Sequence, residues 1–353
     1  MTDPAGGEST PVRASHRFDE GRLQEWMAEH VGDFHGPMRV EQFVGGQSNP
    51  TFKLITPARI YVLRRQPMGP LLKGAHAVDR EAKVLGCLGP LGFPVPPVHA
   101  LCQDPEVIGS WFYVMDMVPG RIFWDSTFPG VAPESRPEHF DAMNVTLARL
   151  HSIDPAAAGL AGFGRPENYL ARQIGRWSRQ YLDDPQAGRN EHMDKLVEWL
   201  PARAPETHDA AIIHGDYRVD NLVFHPHEPR IIAVLDWELS TLGDPVADFT
   251  YHLMMYRLPP RISAGLAGYD LAALRIPDEA EYIRRYCSRT GRDGIHDLSF
   301  YLAFNMFRFA AILHGIKGRM IRGTAASSKA DEITANFDFL AAQAAQLADH
   351  AGS

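Results

Sequence analysis

The stretch AIIHGDYRVDNLVF, residues 211–224, sets His214, Asp216 and Asn221 between two short apolar runs. A buried strand has no reason to break into His, Gly, two Asp, an Arg and an Asn; a loop that presents those groups to a substrate does. Asp216 and Asn221 stand five residues apart, and a further acid, Asp236 in VLDWE, follows an intervening pair of strands. Such a set can point one carboxylate at a hydroxyl while an amide oxygen and a second carboxylate share a hard cation such as Mg2+.

Positioning these groups requires a scaffold, and the pattern changes along the chain. From Met38 to Leu63 the segments RVEQFVGG, TFKLIT and IYVLRR read as strands punctuated by Gly, Asn and Pro. AHAVDREAKVLGCLG follows with Val78, Ala82, Leu85 and Leu88 at helical spacing, and a further strand pair surrounds SWFYVMDMVPG. Beyond Pro119 the period turns helical: Phe140, Met143, Leu147 and Leu150 share one stripe, and Leu170, Ile174, Trp177 and Tyr181 another. The expectation is an α+β chain, with a small sheet-rich lobe over 21–118 and a larger helical lobe over 119–345. Residues 1–20 and 346–353 read as loose tails. No internal repeat is visible.

The totals exclude several classes. Of 353 residues, 45% are hydrophobic and 22% charged, so the chain can close a core. A net charge of −8 argues against a nucleic-acid or anionic-membrane binder. Cys87, Cys102 and Cys287 are far apart, with no C-x-x-C pair, which fits a reducing cytoplasm. The start, MTDPAGGESTPVRASHRFDE, is polar and acidic, without an apolar core between a basic head and a small-residue cleavage site, so secretion is not expected. The most apolar stretch, YLAFNMFRFAAILHGI, is interrupted by Asn305, Arg308 and His314 and reads as a buried helix, not a membrane span.

The ordered set resembles the aminoglycoside phosphotransferase family, which is related to protein kinases. HGDYRVDN fits that family's H-G-D-x-x-x-x-N loop, and LDWE its metal-binding Asp segment. GGQSNPTF at 45–52 takes the place of the nucleotide loop, where Ser48 meets phosphate. YVLRR takes the place of the kinase V-A-I-K strand, making Arg64 the phosphate-contacting cation and Glu81 its ion-pair partner. Arg replaces the kinase Lys there, offering phosphate a planar fork in place of a point charge. FYVMDMVPG resembles the hinge, with Met115 at the back of an adenine pocket and the backbones of Asp116 and Val118 at the adenine edge. More narrowly, GGQSNPTF, AHAVDRE, HGDYRVDN and DWELSTLGDPVADF resemble the branch that includes the kinase domains of acyl-CoA dehydrogenase family members ten and eleven. That branch is associated with phosphorylation of hydroxyacyl-CoA; the match exhausts the length of this sequence, so no dehydrogenase portion is expected.

The resemblance implies a two-lobed protein-kinase-like fold transferring the γ-phosphoryl of ATP, with GTP as the alternative donor, to a small-molecule hydroxyl. Asp216 orients the hydroxyl and takes its proton, while Asn221 and Asp236 hold Mg2+. Taken singly, an Asp or Asn in a loop is a turn former or cap; the ordered co-occurrence carries the reading. His214 is expected to brace the loop and Asp248 to hold its backbone, both by resemblance, and the His225–His227 pair to mark a surface turn. No A-P-E segment or long activation loop follows Asp236, and Trp237 and Glu238 stand where D-F-G has Phe and Gly. Arg172, Arg176 and Arg179 form a stripe that either faces solvent or meets an acidic acceptor, with Arg308, Lys317, Arg319 and Arg322 as further cations. An aminoglycoside kinase and a silent nucleotide-binding module are the rival readings. The oligomeric state is left open.

Overall fold

The computed structural model describes residues 3–4, 8–44, 49–69, 76–206, 209–323 and 330–351. The chain divides into two units. The first comprises Met1–Thr146, Asp154–Phe163 and Arg218–Ser240, the second Leu147–Ile153, Gly164–Tyr217 and Thr241–Ser353.

In the first unit six antiparallel strands form one sheet, in the order Ser9–Thr10, Arg39–Phe43, Thr51–Ile55, Ile60–Arg65, Phe112–Asp116 and Val98–Cys102. Because side chains alternate between faces, Phe52, Leu54, Tyr61, Leu63, Phe112 and Val114 enter one core with Leu23 and Met27 of the helix Glu20–His30. The same alternation sends Val62, Arg64, Tyr113 and Met115 to the opposite face. Register pairs them across the strands: Arg64 lies opposite Tyr113 and Val62 opposite Met115.

Two consecutive arginines therefore have different fates. Arg65, on the core face, is wholly buried with its guanidinium 5.3 Å from the ring centroids of both Phe18 and Phe52. It donates to the carbonyls of Ile108 and His16 at 3.3 and 3.0 Å. Part of the stretch read as a loose amino-terminal tail is thus held: His16 by Arg65, and Ser9–Thr10 by pairing with Gln42 and Phe43. The helix Val78–Leu88 turns Val78, Glu81, Ala82, Leu85 and Leu88 inward. A second sheet runs Asp3–Pro4, Arg121–Ile122, Leu222–Phe224, Ile231–Val234, all antiparallel, and carries Asn221 and Asp236 at the ends of its strands.

The second unit is helical apart from a two-stranded ribbon, Ala211–Ile213 with Thr241–Gly243. Leu170, Ile174, Trp177 and Tyr181 of the helix Tyr169–Leu182 share a core with Phe304 and Phe307 of Leu298–Ile321 and Leu340 of Ala330–His350. Among the described residues no helix is long and apolar enough to cross a membrane. The polar interruptions of Leu298–Ile321 are bonded inside: Asn305 donates to Ala247 O at 2.9 Å, and His314 meets Gly188 O at 2.8 Å. The final helix continues to His350, past the 345 expected from sequence, because Ala344, Ala345 and Ala348 are buried there.

Candidate active site

Arg64 sits at the centre of a carboxylate cluster in the first unit. Its Nε lies 3.0 Å from Glu81 Oε2, an ion pair without hydrogen-bond alignment. Its Nη2 lies 2.6 Å from Asp236 Oδ1 and 3.5 Å from Glu238 Oε2. Glu81 is in turn fixed by Asn49 Nδ2 at 3.0 Å and the Tyr113 hydroxyl at 3.2 Å. Burial pushes the Glu81 carboxyl up to about 7; Arg64 pulls it down, but Asp236 and Glu238 repel the same charge. Burial works against the Arg64 cation too, yet the three carboxylates together raise its pKa.

Beside the cluster lies a cleft of about 250 Å³, lined on its apolar side by Val62, Leu85, Met115 and Val234 and reached by Arg64, Asn221 and Asp236. Gly120 also lines it, and only a glycine fits: a Cβ there would sit 2.4 Å from Phe224 O and 2.5 Å from Val223 Cγ1. At the hinge-like segment the Asp116 N–H is taken by Pro97 O at 2.9 Å and the Met117 N–H by Ile60 O at 3.2 Å. Among the described residues the Val118 N–H has no backbone acceptor. The Asp116 side chain is engaged elsewhere, with His99 at 2.8 Å. Ser48 lies outside the described residues.

Asp236 adopts a positive φ of 65°, a conformation Asp tolerates better than most residues. The next residue anchors it: Trp237 is buried and donates to Val234 O at 2.9 Å.

Asp216 belongs to the second unit, whose boundary falls after Tyr217. Its loop is held from behind by Asp248, which accepts the N–H groups of His214 and Gly215, each at 2.8 Å, and meets His151 Nε2 at 3.1 Å. Burial alone would raise the Asp248 pKa; the His151 hydrogen bond and the aligned donors outweigh it and hold it below the ordinary value. Gly215 turns the chain with φ +84°, and His214 Nδ1 accepts the Asp216 N–H at 3.2 Å. The Tyr251 hydroxyl donates to Asp216 Oδ1 at 2.6 Å.

The structure thus gathers Arg64, Glu81, Met115, Asp116, Val118, Asn221 and Asp236 around one cleft of the first unit and gives Asp216 its own partners in the second. Sequence reading missed Asn49, Tyr113, Glu238 and Tyr251, and it offered Arg308 as an acceptor-side cation where the structure buries it against the Gly215 carbonyl and the Tyr251 ring. For Tyr113 a signal existed, since strand alternation puts it on the Met115 face; Tyr251 sits in a run of core residues and gave none. Arg172, Arg176 and Arg179 are exposed, with Arg176 4.9 Å from the Trp177 ring, whereas Arg308 is buried and Arg322 is paired with Asp184 at 2.7 Å. His225–His227 lie in the turn between two strands, and among the described residues no group of three or more His, Cys, Asp or Glu is poised for a metal.

A family model described as the phosphotransferase enzyme family, APH, matches residues 39–284. The chain belongs to this family. It is 41% identical over 325 residues to acyl-CoA dehydrogenase family member 10 of Mus musculus, covering 91% of this chain and 30% of that protein. Against acyl-CoA dehydrogenase family member 11 of Gallus gallus the identity is 41% over 334 residues, 92% of this chain and 43% of that one. The phosphotransferase chain therefore spans less than half the length of these curated relatives. A solved Ralstonia eutropha structure, described as a candidate aminoglycoside phosphotransferase, is 46% identical with TM-score 0.85, covering 95% of this chain and 99% of that one. Choline kinase from Cryptosporidium parvum shares the fold at TM-score 0.64 and 12% identity, with 94% and 97% covered. So does the phosphotransferase APH(4)-Ia, solved with ADP and hygromycin B, at TM-score 0.57 and 14% identity, with 92% and 98% covered. The fold is α+β and protein-kinase-like, a sheet-rich lobe and a helical lobe.

Proposed function

We propose that this phosphotransferase is an ATP-dependent small-molecule kinase that transfers the γ-phosphoryl group to a substrate hydroxyl, with hydroxyacyl-CoA as the acceptor class. The observation that carries the reading is the cleft itself: an apolar slot ending in Arg64, Asn221 and Asp236, with the Val118 N–H at its hinge. An adenine ring fits such a slot, its edge meeting the Val118 N–H and the Asp116 carbonyl. Arg64, steadied by Glu81, grips phosphate oxygens with its planar fork.

The donor set suits Mg2+. Three carboxylates share one guanidinium, so the cluster carries excess negative charge, and Asn221 and Asp236 offer the few hard oxygens that a Mg2+ keeping its waters and nucleotide phosphates requires. Bound there, the ion would neutralise charge on the phosphate oxygens. In the transfer the bond between the γ-phosphorus and its bridging oxygen breaks, leaving ADP. The acceptor oxygen bonds to phosphorus, and its proton passes to an Asp216 carboxylate oxygen and then to water. Positioning, not covalent chemistry, supplies most of the rate.

Exposed Arg172, Arg176 and Arg179 favour an anionic acceptor over a polycationic aminoglycoside. The retained Asp216, Asn221 and Asp236 disfavour a silent module. Free Cys87, Cys102 and Cys287 accord with a cytoplasmic setting.

The test is ADP release from Mg-ATP across a panel of hydroxyacyl-CoAs, with kanamycin as the cationic control. Asp216→Asn should lower turnover by about 10²-fold or more while sparing Mg-nucleotide binding. Asp236→Ala should instead raise the Mg2+ requirement for that binding. Near-wild-type turnover in Asp216→Asn sinks the base; turnover of kanamycin alone sinks the acceptor class and leaves the kinase.

A further inference from the structure

We propose that Tyr251 is a positioning residue for the Asp216 carboxylate, itself locked by Arg308; the inference rests on the reading of Asp216 as the base. Asp248 accepts the N–H groups of His214 and Gly215 and His214 accepts the Asp216 N–H, bonds to the backbone that fix the path of the loop. The last side-chain torsion of an aspartate is soft, with broad wells. The Tyr251 hydroxyl, only 2.6 Å from Oδ1, is a charge-assisted donor that sets the carboxylate plane.

Tyr251 is buried in the helix Pro245–Leu253, and its ring is held by a cation. Arg308, 6% exposed, donates from Nη2 to the Gly215 carbonyl at 2.7 Å. The same guanidinium lies 5.0 Å from the Tyr251 ring centroid and 5.9 Å from that of Trp177. Its Nε is buried with no hydrogen-bond partner among the described residues, so aromatic faces and one carbonyl, not a full set of acceptors, are what it is placed against. One arginine therefore ties the residue preceding Asp216 to the tyrosine that holds its carboxylate. A cation over the ring also makes the phenol a better donor. A base must lie within hydrogen-bond reach of the proton it takes, and a misplacement of about 1 Å can cost about 10²-fold.

The experiment is a double-mutant cycle on the full chain, read as ADP release from Mg-ATP. Acceptors are a panel of hydroxyoctanoyl-CoAs differing in hydroxyl position, with water alone as acceptor in parallel. Tyr251→Phe should lower kcat by about 10-fold or more, leave KM for Mg-ATP within about twofold, and leave the thermal melting curve in place. In the Asp216→Asn background the same change should have no further effect on kcat, because the Tyr251 hydroxyl acts on the reaction through that carboxylate. An unchanged kcat in Tyr251→Phe, or the same fold-loss in both backgrounds, overturns the positioning role while Asp216 keeps its own. Full activity in Asp216→Asn overturns both. Arg308→Lys, run through the same cycle, serves if Tyr251→Phe does not fold: its loss of kcat should likewise vanish in Asp216→Asn, and a loss that persists there rejects the brace.

Discussion

Glu81 in the sheet-rich unit and Asp248 in the helical unit are carboxylates with 1% and 2% of their surface exposed, and burial disfavours the charge of each. Their protons nevertheless respond in opposite directions. Asp248 faces two backbone N–H groups and His151, all donors aimed at its oxygens, and its pKa falls. Glu81 has a guanidinium beside it, but Asp236 and Glu238 draw on the same cation, and its pKa climbs to about 7. Donors directed at one anion settle that anion, whereas a cluster with more carboxylates than cations is completed by positive charge from elsewhere. The first arrangement suits a frame; the second is the cluster at which the Mg-nucleotide is proposed to bind.

Breaking the frame should have the largest effect. Asp248→Asn turns an amide donor toward N–H groups that need an acceptor, and we expect a loss of roughly 2–4 kcal/mol in urea unfolding at neutral pH, with activity falling alongside. The pH dependence carries a sign. Asp248 has a folded pKa below its ordinary 3.8, so its contribution is present above about 3.8 and lost as pH falls through the lowered value. Asp248→Asn should flatten that acid limb. An unfolding midpoint that matches the wild type would show that the loop is held by something else.

Glu81→Gln should act on nucleotide binding instead. In the wild type, Mg-ATP affinity should weaken as pH drops from about 8 to about 6, because Glu81 takes up a proton near 7 and relaxes its grip on Arg64. Glu81→Gln should bind about 10-fold more weakly at pH 8 and lose the slope. Its linkage to folding runs opposite to that of Asp248: the proton-linked contribution is fully present below the ordinary 4.5 and lost as pH rises through about 7. Titration calorimetry across that range decides, and an equal slope in both proteins removes Glu81 as its source.

The same contrast explains what could be read from sequence. Arg64 and Glu81 are readable through the family resemblance of YVLRR and AHAVDRE; alternation assigns Val62 and Arg64 to one face of their strand, and the inter-strand register that sets Met115 opposite Val62 is not written in either segment. Tyr251 and Arg308 come from helices that read as core, Pro245–Leu253 and Leu298–Ile321, and their meeting at Gly215 and Asp216 is set by helix packing that no local pattern encodes. Arg65 stands next to Arg64 in YVLRR, and the sheet's two faces separate them: Arg65 enters the core against Phe18 and Phe52. Ser9–Thr10 and the last turns of Ala330–His350 are not legible in the sequence, because a two-residue strand and alanine-rich helical turns carry little pattern of their own.

The smallest expected effect tests the acceptor. Arg172, Arg176 and Arg179 line the exposed side of Tyr169–Leu182, while Leu170, Ile174, Trp177 and Tyr181 fill its core side, so removing two of these cations costs the fold little. Arg176 is the informative member: partial desolvation of its guanidinium and the nearby Arg308 both lower its pKa, so an anion arriving there would relieve a repulsion as well as form a contact. Replacing Arg172 and Arg176 together by Ala should raise KM for a hydroxyacyl-CoA by about 3- to 10-fold, since exposed ion pairs are worth about 0.2–1 kcal/mol each and a bidentate phosphate contact somewhat more. KM for ATP and the melting temperature should not move. Added salt should shrink the difference between mutant and wild type, because screening weakens exposed charge contacts first. A double mutant indistinguishable from wild type at low salt would assign the stripe to solvent, and the acceptor's anionic character would then have to be recognised by other residues.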